Sequence, residues 1–245
     1  MEGEIVDQLW NTVQQFYTGS AETVYPHARR LFCGDDIAQT SLFAPAPQGR
    51  EAEVFLVRAD LISNRLAYVL TECRREAGYC REVLGMICCR GVWQIICAAC
   101  AQEAYRFGTL YSDNPQRQRQ ELDELEHILL RYCRDVHRMD AEDCLSLFWD
   151  GAKMYHPNAD ETFTDVEIHV LRTRWANRSE PAGQGIAEFS RIYHIEMLSA
   201  DTAIAKVGCA KLDHYFQDYL TLMKLAGRWK IVNKMTQELY TGQAI

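Results

Sequence analysis

Hydrophobic residues in the second half of the chain recur with two different periods. From residue 122 to residue 136 they return every three or four positions, as on one face of a helix: Leu122, Leu125, Ile128, Leu129, Tyr132 and Val136. Asp140 stands where the N-terminal cap of a second, short helix is expected. A strand at 152–156 follows, and residues 164–177, with Asp165 and Glu167 in the first turn, have the pattern of a third helix.

The remainder of the second half has the alternation of long strands. Strands are predicted at 187–198, 202–212, 214–225 and 228–239, and Ala226-Gly227 is the expected turn of the last hairpin. Helices followed by a run of antiparallel strands indicate an α+β fold. In such a fold the helices cover one face of a curved sheet.

The first half of the chain repeats this pattern. Residues 60–104 match residues 196–240 without a gap at a constant offset of 136, and the motif Gly-x-Trp-x-Ile occurs at both Gly91 and Gly227. Eight of the 45 aligned pairs are identical, against about three expected by chance. The polar segment 113–120, which contains Pro115, is predicted to be the linker and the start of a new helix. We therefore expect two domains of one fold, at 1–112 and 113–245.

Composition and charge narrow the function classes. The chain has 245 residues, of which 48% are hydrophobic and 24% charged, as in folded globular proteins. A net charge of −8 argues against a nucleic-acid partner, because phosphate binding needs a basic face. No apolar run reaches the roughly 20 residues of a membrane span. The acidic start, with Glu2 and Glu4, differs from a signal peptide, so a cytoplasmic location is expected.

The ten cysteines are expected to be reduced thiols rather than a disulfide framework. Cys97-Ala-Ala-Cys100 has the spacing of a metal or redox motif. However, a strand directs residues three apart to opposite faces, which favours small apolar filler. The sequence also has no Gly-rich phosphate loop and no His-Glu-x-x-His motif. No metal and no cofactor is expected.

Two segments carry a family resemblance. The first is Phe-Trp-Asp-Gly-Ala-Lys-Met-Tyr-His-Pro, which begins at Phe148, and the second is Gly-Arg-Trp-Lys-Ile-Val-Asn-Lys, which begins at Gly227. With the order of elements, they resemble the nuclear transport factor 2-like (NTF2-like) superfamily. The similarity is greatest to its SnoaL-like and "putative lumazine-binding" branches. It covers residues 121–240 well and residues 4–105 weakly.

The resemblance implies two tandem cone domains, each a curved antiparallel sheet wrapped on its N-terminal helices. Domains of this superfamily commonly pair sheet against sheet, so the two halves are expected to form a pseudo-dimer within one chain. Members include ketosteroid isomerase, scytalone dehydratase, polyketide cyclases and many non-enzymes. The fold alone therefore decides no function.

The resemblance to ketosteroid isomerase also implies site residues. Tyr132, sixteen residues before Phe148, matches the oxyanion-hole tyrosine, and Asp218 matches the second oxyanion donor. His156, eight residues after Phe148 and followed by Pro157, stands where the isomerase has its aspartate base. A histidine there is more similar to scytalone dehydratase, which carries out elimination.

The same three residues can be interpreted without the resemblance. Tyr132 lies on the apolar stripe of its helix and needs a hydrogen-bond partner, so an ordinary core tyrosine is the alternative. His156 ends a strand and has a side chain that titrates near neutral pH, as a general base does; the alternative is a surface turn. Asp218 lies on a mostly apolar strand face, where a buried carboxylate must be paired or protonated. The alternative is an exposed or ion-paired strand aspartate.

Further candidates for substrate binding come from strand parity and from the resemblance. Arg191 and Tyr193 share one strand face, and Lys206 shares another with small residues that leave room for a ligand. The complete set of substrate-binding candidates is Tyr193, Arg191, Lys234, Lys206, Trp175 and His214. Trp175 is expected to close the cavity rim. For each of them a purely structural role is the alternative.

The first copy provides an internal control. Phe16 and Thr40 occupy the positions of Tyr132 and His156 around Phe32, and only Glu82 corresponds to Asp218. This copy is also about twenty residues shorter, which matches the length of the third helix. We expect it to lack a lid and a sealed cavity, and to be a structural partner.

The leading hypothesis is a cofactor-independent lyase or isomerase that acts on a small apolar or aromatic molecule in the second domain. His156 takes a proton, while Tyr132 and Asp218 stabilise the developing oxyanion. Isomerisation, elimination and cyclisation remain open. The alternative is a non-catalytic module for small-molecule binding or assembly. The expected partner is a small ligand, homo-oligomer formation remains open, and no nucleic-acid or membrane partner is expected.

Overall fold

The computed structural model describes residues 2–18, 24–32, 38–41, 53–75, 78–102, 115–176, 188–211 and 214–240. The chain divides into two compact units. The first comprises Met1–Leu110 with Pro157–Phe163, and the second comprises Tyr111–His156 with Thr164–Ile245. Among the helices within these ranges, none is long and apolar enough to cross a membrane.

The first unit places one helix beside a mixed sheet of six strands. Its elements are α1 (Glu2–Tyr17), β1 (Val24–Phe32), β2 (Ala38–Ser41), β3 (Glu53–Ser63), β4 (Leu66–Arg75), β5 (Gly78–Cys89) and β6 (Val92–Gln102). The strand order is β2-β1-β6-β5-β4-β3, in which only β1 and β6 are parallel. The apolar stripe of α1, with Leu9, Val13 and Phe16, is buried in the same core as sheet residues.

The second unit has the same sheet topology and more helices. Its elements are α2 (Pro115–Arg138), α3 (Ala141–Leu145), β7 (Phe148–Pro157), β8 (Phe163–Glu167), α4 (Val170–Ala176), β9 (Ser190–Met197), β10 (Thr202–Lys211), β11 (His214–Leu225) and β12 (Arg228–Tyr240). The strand order is β8-β7-β12-β11-β10-β9, and β7 is parallel to β12. Asp140 caps α3, since its carboxylate accepts a hydrogen bond from the Asp143 backbone N–H at 3.0 Å.

The internal repeat is confirmed strand by strand. β10 and β11 begin and end 136 residues after β4 and β5, and β12 begins 136 residues after β6. The last hairpin of each unit turns through two residues with positive φ, namely Arg90-Gly91 and Ala226-Gly227. Two successive positive φ angles match the twist of the flanking strands, and glycine adopts them without strain.

The predicted third helix, 164–177, is confirmed only in its second half, at α4. Residues 163–167 form the edge strand β8, so Asp165 and Glu167 do not lie in a helical first turn, and α4 begins only at Val170. The strand is held by its neighbour β7, where the Lys153 ammonium binds the Asp165 carboxylate at 2.8 Å. Tertiary pairing therefore outweighs the local helical pattern. Residues 42–52, where the first copy was predicted to lack a lid, and residues 177–187 lie outside the described ranges.

The core of the second unit lies between α2 and the sheet. Leu125 and Leu129 of α2 pack in one cluster with Leu220, Leu222 and Trp229 of β11 and β12. Burial of each such side chain contributes about 1.5–3 kcal/mol of transfer free energy. The helix is therefore fixed over the sheet, and its polar residues are brought to defined positions on the inner face.

Candidate functional site

A cavity of about 290 Å³ opens on the inner side of the second unit. Both apolar and polar residues line it. The lining residues are Val136, Met154, His156, Leu171, Arg174, Trp175, Phe216, Asp218, Lys234, Thr236 and Glu238. A mostly apolar wall with a few convergent polar groups is the usual composition of a small-molecule site.

The polar end of the cavity is a hydrogen-bonded cluster centred on Asp218. The Tyr132 hydroxyl donates to Asp218 Oδ2 at 2.7 Å, and Lys234 Nζ lies 2.8 Å from the same oxygen. The Thr236 hydroxyl donates to Asp218 Oδ1 at 2.7 Å. Lys234 also donates to the Tyr132 hydroxyl oxygen. The Asp218 side chain is only 1% exposed, so its charge is balanced inside the protein rather than by water.

This geometry changes the expected role of Asp218. All three neighbours direct donors at its carboxylate, so Asp218 accepts and does not act as the neutral donor to an oxyanion that the resemblance implied. Burial, followed by the negative charge of Asp218, raises the pKa of Tyr132 well above its usual value. Tyr132 therefore keeps its proton, and its hydroxyl already donates that proton in the hydrogen bond to Asp218.

Tyr132 lies behind the cavity rather than in its wall. Its side chain is fully buried, and it is absent from the lining residues. Lys234 does line the cavity. An ammonium group has three N–H donors, of which Tyr132 and Asp218 take two. The third donor is available to a ligand oxygen, so the cation that faces the cavity is Lys234.

His156 lies in the wall of the same cavity. Its Nδ1 is 3.2 Å from the Thr236 backbone carbonyl oxygen. Because a carbonyl oxygen can only accept, Nδ1 carries the hydrogen and Nε2 of the neutral ring carries the lone pair. This tautomer leaves His156 with an unoccupied proton acceptor.

The remaining sequence candidates separate into two groups. Trp175 lines the cavity as predicted, whereas His214 lies outside the lining and contacts the lining residue Glu238 through Nδ1 at 2.5 Å. The other three candidates are not brought to the cavity. The Tyr193 hydroxyl is 2.6 Å from that of Tyr215, a β11 residue of opposite parity to Asp218.

Arg191 and Lys206 accompany Tyr193 on that opposite face. The Arg191 guanidinium lies 5.0 Å from the Tyr193 ring centroid. Lys206 Nζ lies 5.4 Å from the Tyr193 centroid and 5.1 Å from the Tyr219 centroid. Strand parity had grouped Arg191 with Tyr193 correctly, but it had not joined Lys206 to them. It could not tell which face of the sheet the helices cover.

The first unit contains a buried cluster that sequence reasoning missed. The Tyr17 hydroxyl donates to Glu82 Oε2 at 2.6 Å, and Arg30 Nε lies 2.7 Å from Glu82 Oε1. The Thr71 hydroxyl is 3.0 Å from that of Tyr17. Burial, followed by the charge of Glu82, raises the pKa of Tyr17 well above its usual value. The polar centre is therefore not confined to the second copy.

The predicted counterparts of Tyr132 and His156 need correction. Phe16 does occupy the core position of Tyr132, but the next residue, Tyr17, supplies the hydroxyl, while the Phe16 ring packs 5.1 Å from the Arg30 guanidinium. Thr40 belongs to the edge strand β2, paired with Arg30, and is not at the position of His156.

The sheet register identifies the true counterpart of His156. Phe32 pairs with Cys100, whose repeat position is Thr236, the residue that His156 contacts. The constant residue offset used for the start of the repeat had aligned Thr40 with His156. That alignment failed because fewer residues separate β1 from α1 than separate β7 from α2, where α3 intervenes.

Comparisons with known proteins agree with this architecture. Residues 120–237 match the family model described as "Putative lumazine-binding". The match lies in the second unit, and the first unit has the same order of strands in its sheet. A search of curated proteins found no match.

Solved structures similar to the chain each cover about half of it. An NTF2-like protein from Shewanella baltica is 21% identical, with 49% of this chain and 94% of that chain covered at a TM-score of 0.45. A ketosteroid isomerase-like protein from Erwinia carotovora atroseptica is 16% identical, covering 49% and 97% at a TM-score of 0.39. A "Putative Scytalone Dehydratase" from Novosphingobium aromaticivorans is 15% identical, covering 51% and 89% at 0.37.

The sequence did not identify three polar residues of the second domain that line the cavity, namely Arg174, Thr236 and Glu238. Thr236 and Glu238 follow Lys234 at intervals of two on β12, so alternation could have placed them on the same face. Arg174 directly precedes the predicted rim residue Trp175. No pattern in the sequence separates Arg174 from the other arginine of α4, Arg172.

Three cysteines of the first domain, Cys73, Cys97 and Cys100, are buried in its sheet. Cys97 and Cys100 both lie in β6, and the Cys100 sulfur is 2.7 Å from the sulfur of Cys80 on β5. Within the described ranges, no group of three or more His, Cys, Asp or Glu side chains is placed to hold a metal ion.

Proposed function

We propose that the second NTF2-like domain is a lyase or isomerase that removes a proton from a small, mostly apolar molecule. The observation that carries the proposal is the shared cavity of His156 and Lys234, with Lys234 fixed by Asp218. A base and an oxygen-stabilising cation in one apolar cavity are the two groups that abstraction next to a carbonyl requires.

The proton step uses side chains of the chain itself. Nε2 of His156 takes the proton from the carbon next to a carbonyl group, and the electron pair of that C–H bond forms a C=C bond. The carbonyl oxygen becomes an enolate oxygen, which the free N–H of Lys234 stabilises. Protonated His156 then returns the proton to another carbon, which completes an isomerisation, or to a departing hydroxyl group, which completes an elimination as water.

Asp218 and Tyr132 act as positioning residues in this scheme. Asp218 holds the ammonium group of Lys234, and Tyr132 occupies one of the N–H donors. Because both contacts are buried, they hold the cation in one orientation before the ligand arrives. Preorganised charge of this kind lowers the barrier most when no solvent has to reorganise.

The cavity walls define the body of the substrate. Trp175 and Phe216 supply aromatic surface, and Leu171, Val136 and Met154 supply aliphatic surface. A volume of about 290 Å³ lies near the lower end of the range for small-molecule sites, roughly 300–1,000 Å³. One or two fused rings fit this size better than a four-ring steroid.

The direct test uses 2-tetralone, a two-ring ketone with acidic C–H bonds, in D₂O. We expect the protein to accelerate proton-to-deuterium exchange next to the carbonyl, as followed by NMR. His156→Ala and His156→Gln should lower the rate roughly 100-fold or more, since a positioned general base contributes about 10²–10⁴-fold. Lys234→Met should lower it by a similar factor.

His194→Ala is the matched histidine control. His194 is half exposed and contacts Glu196 at 3.3 Å, and it is not among the cavity residues. Its removal should leave the exchange rate unchanged. Exchange that is absent in the wild type, or equally fast in both His156 variants, would contradict the proposed reaction.

The second candidate is ligand binding without turnover. It is favoured by the family description, which names binding only. Binding of the planar phenol 2-naphthol, measured by calorimetry and weakened by Lys234→Met, without any exchange of 2-tetralone, would favour this candidate.

A further inference from the structure

Arg174 is the charged residue of the cavity whose position is not explained by the proposed proton step. It lies on α4, directly before the wall residue Trp175, and its side chain is exposed at the opening. Within the described ranges, which end at Ala176 after α4 and resume at Glu188, its guanidinium has no hydrogen-bond or ion-pair partner.

The neighbouring Arg172 shows how an arginine of this helix is otherwise held. Arg172 Nη2 donates to Glu142 Oε2 at 2.8 Å, and Arg172 lies outside the cavity lining. The two arginines therefore differ in both respects. Arg172 has an acidic partner on α3, whereas Arg174 faces the cavity opening.

The two acidic residues of the cavity each lie beside a basic side chain other than Arg174. Asp218 is bound by Lys234, and Glu238 lies 2.5 Å from His214 Nδ1. Neither carboxylate lies within ion-pair distance of Arg174. The positive charge at the opening is therefore available to a ligand.

A guanidinium recognises a planar anion through two parallel N–H donors. A carboxylate matches this fork, and such charge-assisted pairs are about twice as strong as neutral hydrogen bonds. Trp175 and Phe216 line the same cavity as Arg174 and Lys234. The lining thus combines two cationic side chains with aromatic surface.

From these features we infer that the ligand of the second domain is a small aromatic acid, with its carboxylate at Arg174 and an oxygen function at Lys234. The inference rests on the proposed use of this cavity as a ligand site. It adds Arg174 as a specificity-determining residue. It also assigns the ligand class as a one- or two-ring monocarboxylate.

The test is calorimetric binding of two probes, 6-hydroxy-2-naphthoate and its uncharged methyl ester, to the full chain. The acid is expected to bind the wild type more tightly than the ester. Arg174→Gln should weaken acid binding roughly 10- to 100-fold and change ester binding less than about 2-fold, because only the acid loses a charge-assisted pair. Arg174→Lys should restore part of the difference.

Arg172→Gln is the matched control, because it removes the same charge from the same helix outside the cavity. It should change neither affinity. The inference is overturned if the wild type binds neither probe, if it binds acid and ester equally, or if Arg172→Gln weakens acid binding as much as Arg174→Gln does. Discrimination between acid and ester without exchange of 2-tetralone would support the ligand class and reject only the proton step.

Discussion

In each domain a buried carboxylate contacts both a tyrosine hydroxyl and a cationic side chain. Both carboxylates are nearly inaccessible, and they occupy the same repeat position, Glu82 and Asp218. The cations come from different strands. Arg30 lies on β1 and pairs in register with Ala98, the repeat position of Lys234.

The corresponding residue pair of the second sheet, here called the rung, has its cation on the other strand. There β7 supplies Met154 and β12 supplies Lys234. The charge has thus changed strands while the carboxylate has stayed in place. The lesson is that the buried cluster by itself does not mark an active site, because both domains have one. What distinguishes the second domain is His156, whose counterpart by register is Phe32.

The largest effect is expected from removing either cation. Lys234→Met or Arg30→Met leaves a buried carboxylate without its partner, which costs about 3–5 kcal/mol of unfolding free energy. Hydrogen–deuterium exchange, resolved by peptide, should locate the loss in the mutated domain. If Arg30→Met has little effect while Lys234→Met has the full effect, the two clusters are not equivalent.

The change of strand can be reproduced by design. Lys234→Ala should carry the same cost, and adding Met154→Arg should recover roughly 2 kcal/mol or more, because it recreates the arrangement of the first domain. Urea denaturation of the single and double variants measures the recovery. Equal stability of Lys234→Ala with and without Met154→Arg would show that the rung cannot exchange its cation.

A smaller effect is expected from the tyrosines. Tyr17→Phe and Tyr132→Phe each remove one hydrogen bond to a charged acceptor, which is worth about 1.5–3 kcal/mol. Because Tyr132 is outside the cavity lining, its variant should bind 2-naphthol nearly as tightly as the wild type. Calorimetry that instead shows a loss as large as that of Lys234→Met would place the hydroxyl in direct contact with the ligand.

The smallest effect concerns acid stability. Burial opposes ionisation of Glu121, but hydrogen bonds from Lys224 and Trp229 dominate and lower its pKa in the folded state. The resulting stabilisation is present above the ordinary glutamate pKa of about 4.3. It is lost as the pH falls through the lower folded-state value.

The matching helix position of the first domain is Ile5, which packs against the core near Trp93 and does not titrate. Glu121→Gln should therefore cost about 0.5–1.5 kcal/mol at neutral pH and reduce the acid sensitivity of the second domain only. Denaturation curves at several pH values test this. An unchanged acid profile in Glu121→Gln would assign the sensitivity to other carboxylates.

The sequence was most informative where local pattern and tertiary pairing agree. The strands β10, β11 and β12 and the turn at Ala226-Gly227 were predicted closely, because alternation, turn chemistry and the repeat all point the same way. The edge strand β8 was missed. Its five residues carry no periodicity that overrides a helical pattern, and only pairing with β7 makes them extended.

The site was predicted in part for a similar reason. Asp218, His156 and Lys234 were identified from their types and strand positions, and they line one cavity. Their protonation and roles depend on distances of 2.7–2.8 Å around Asp218, which no spacing in the sequence encodes. The first-domain cluster was missed because a single-residue shift along α1, from Phe16 to Tyr17, defeats alignment by a constant offset.

The transfer of the cation between neighbouring strands limits the order in which the two copies could have diverged. A lineage that first lost the cation would pass through a protein with an uncompensated buried carboxylate. That intermediate forfeits about 3–5 kcal/mol of a total stability of about 5–15 kcal/mol. A lineage that first gained a second basic residue avoids this deficit, since a long basic side chain can extend toward solvent. The ancestral duplicate is therefore expected to have passed through a form with both cations on the rung, and gain must have preceded loss.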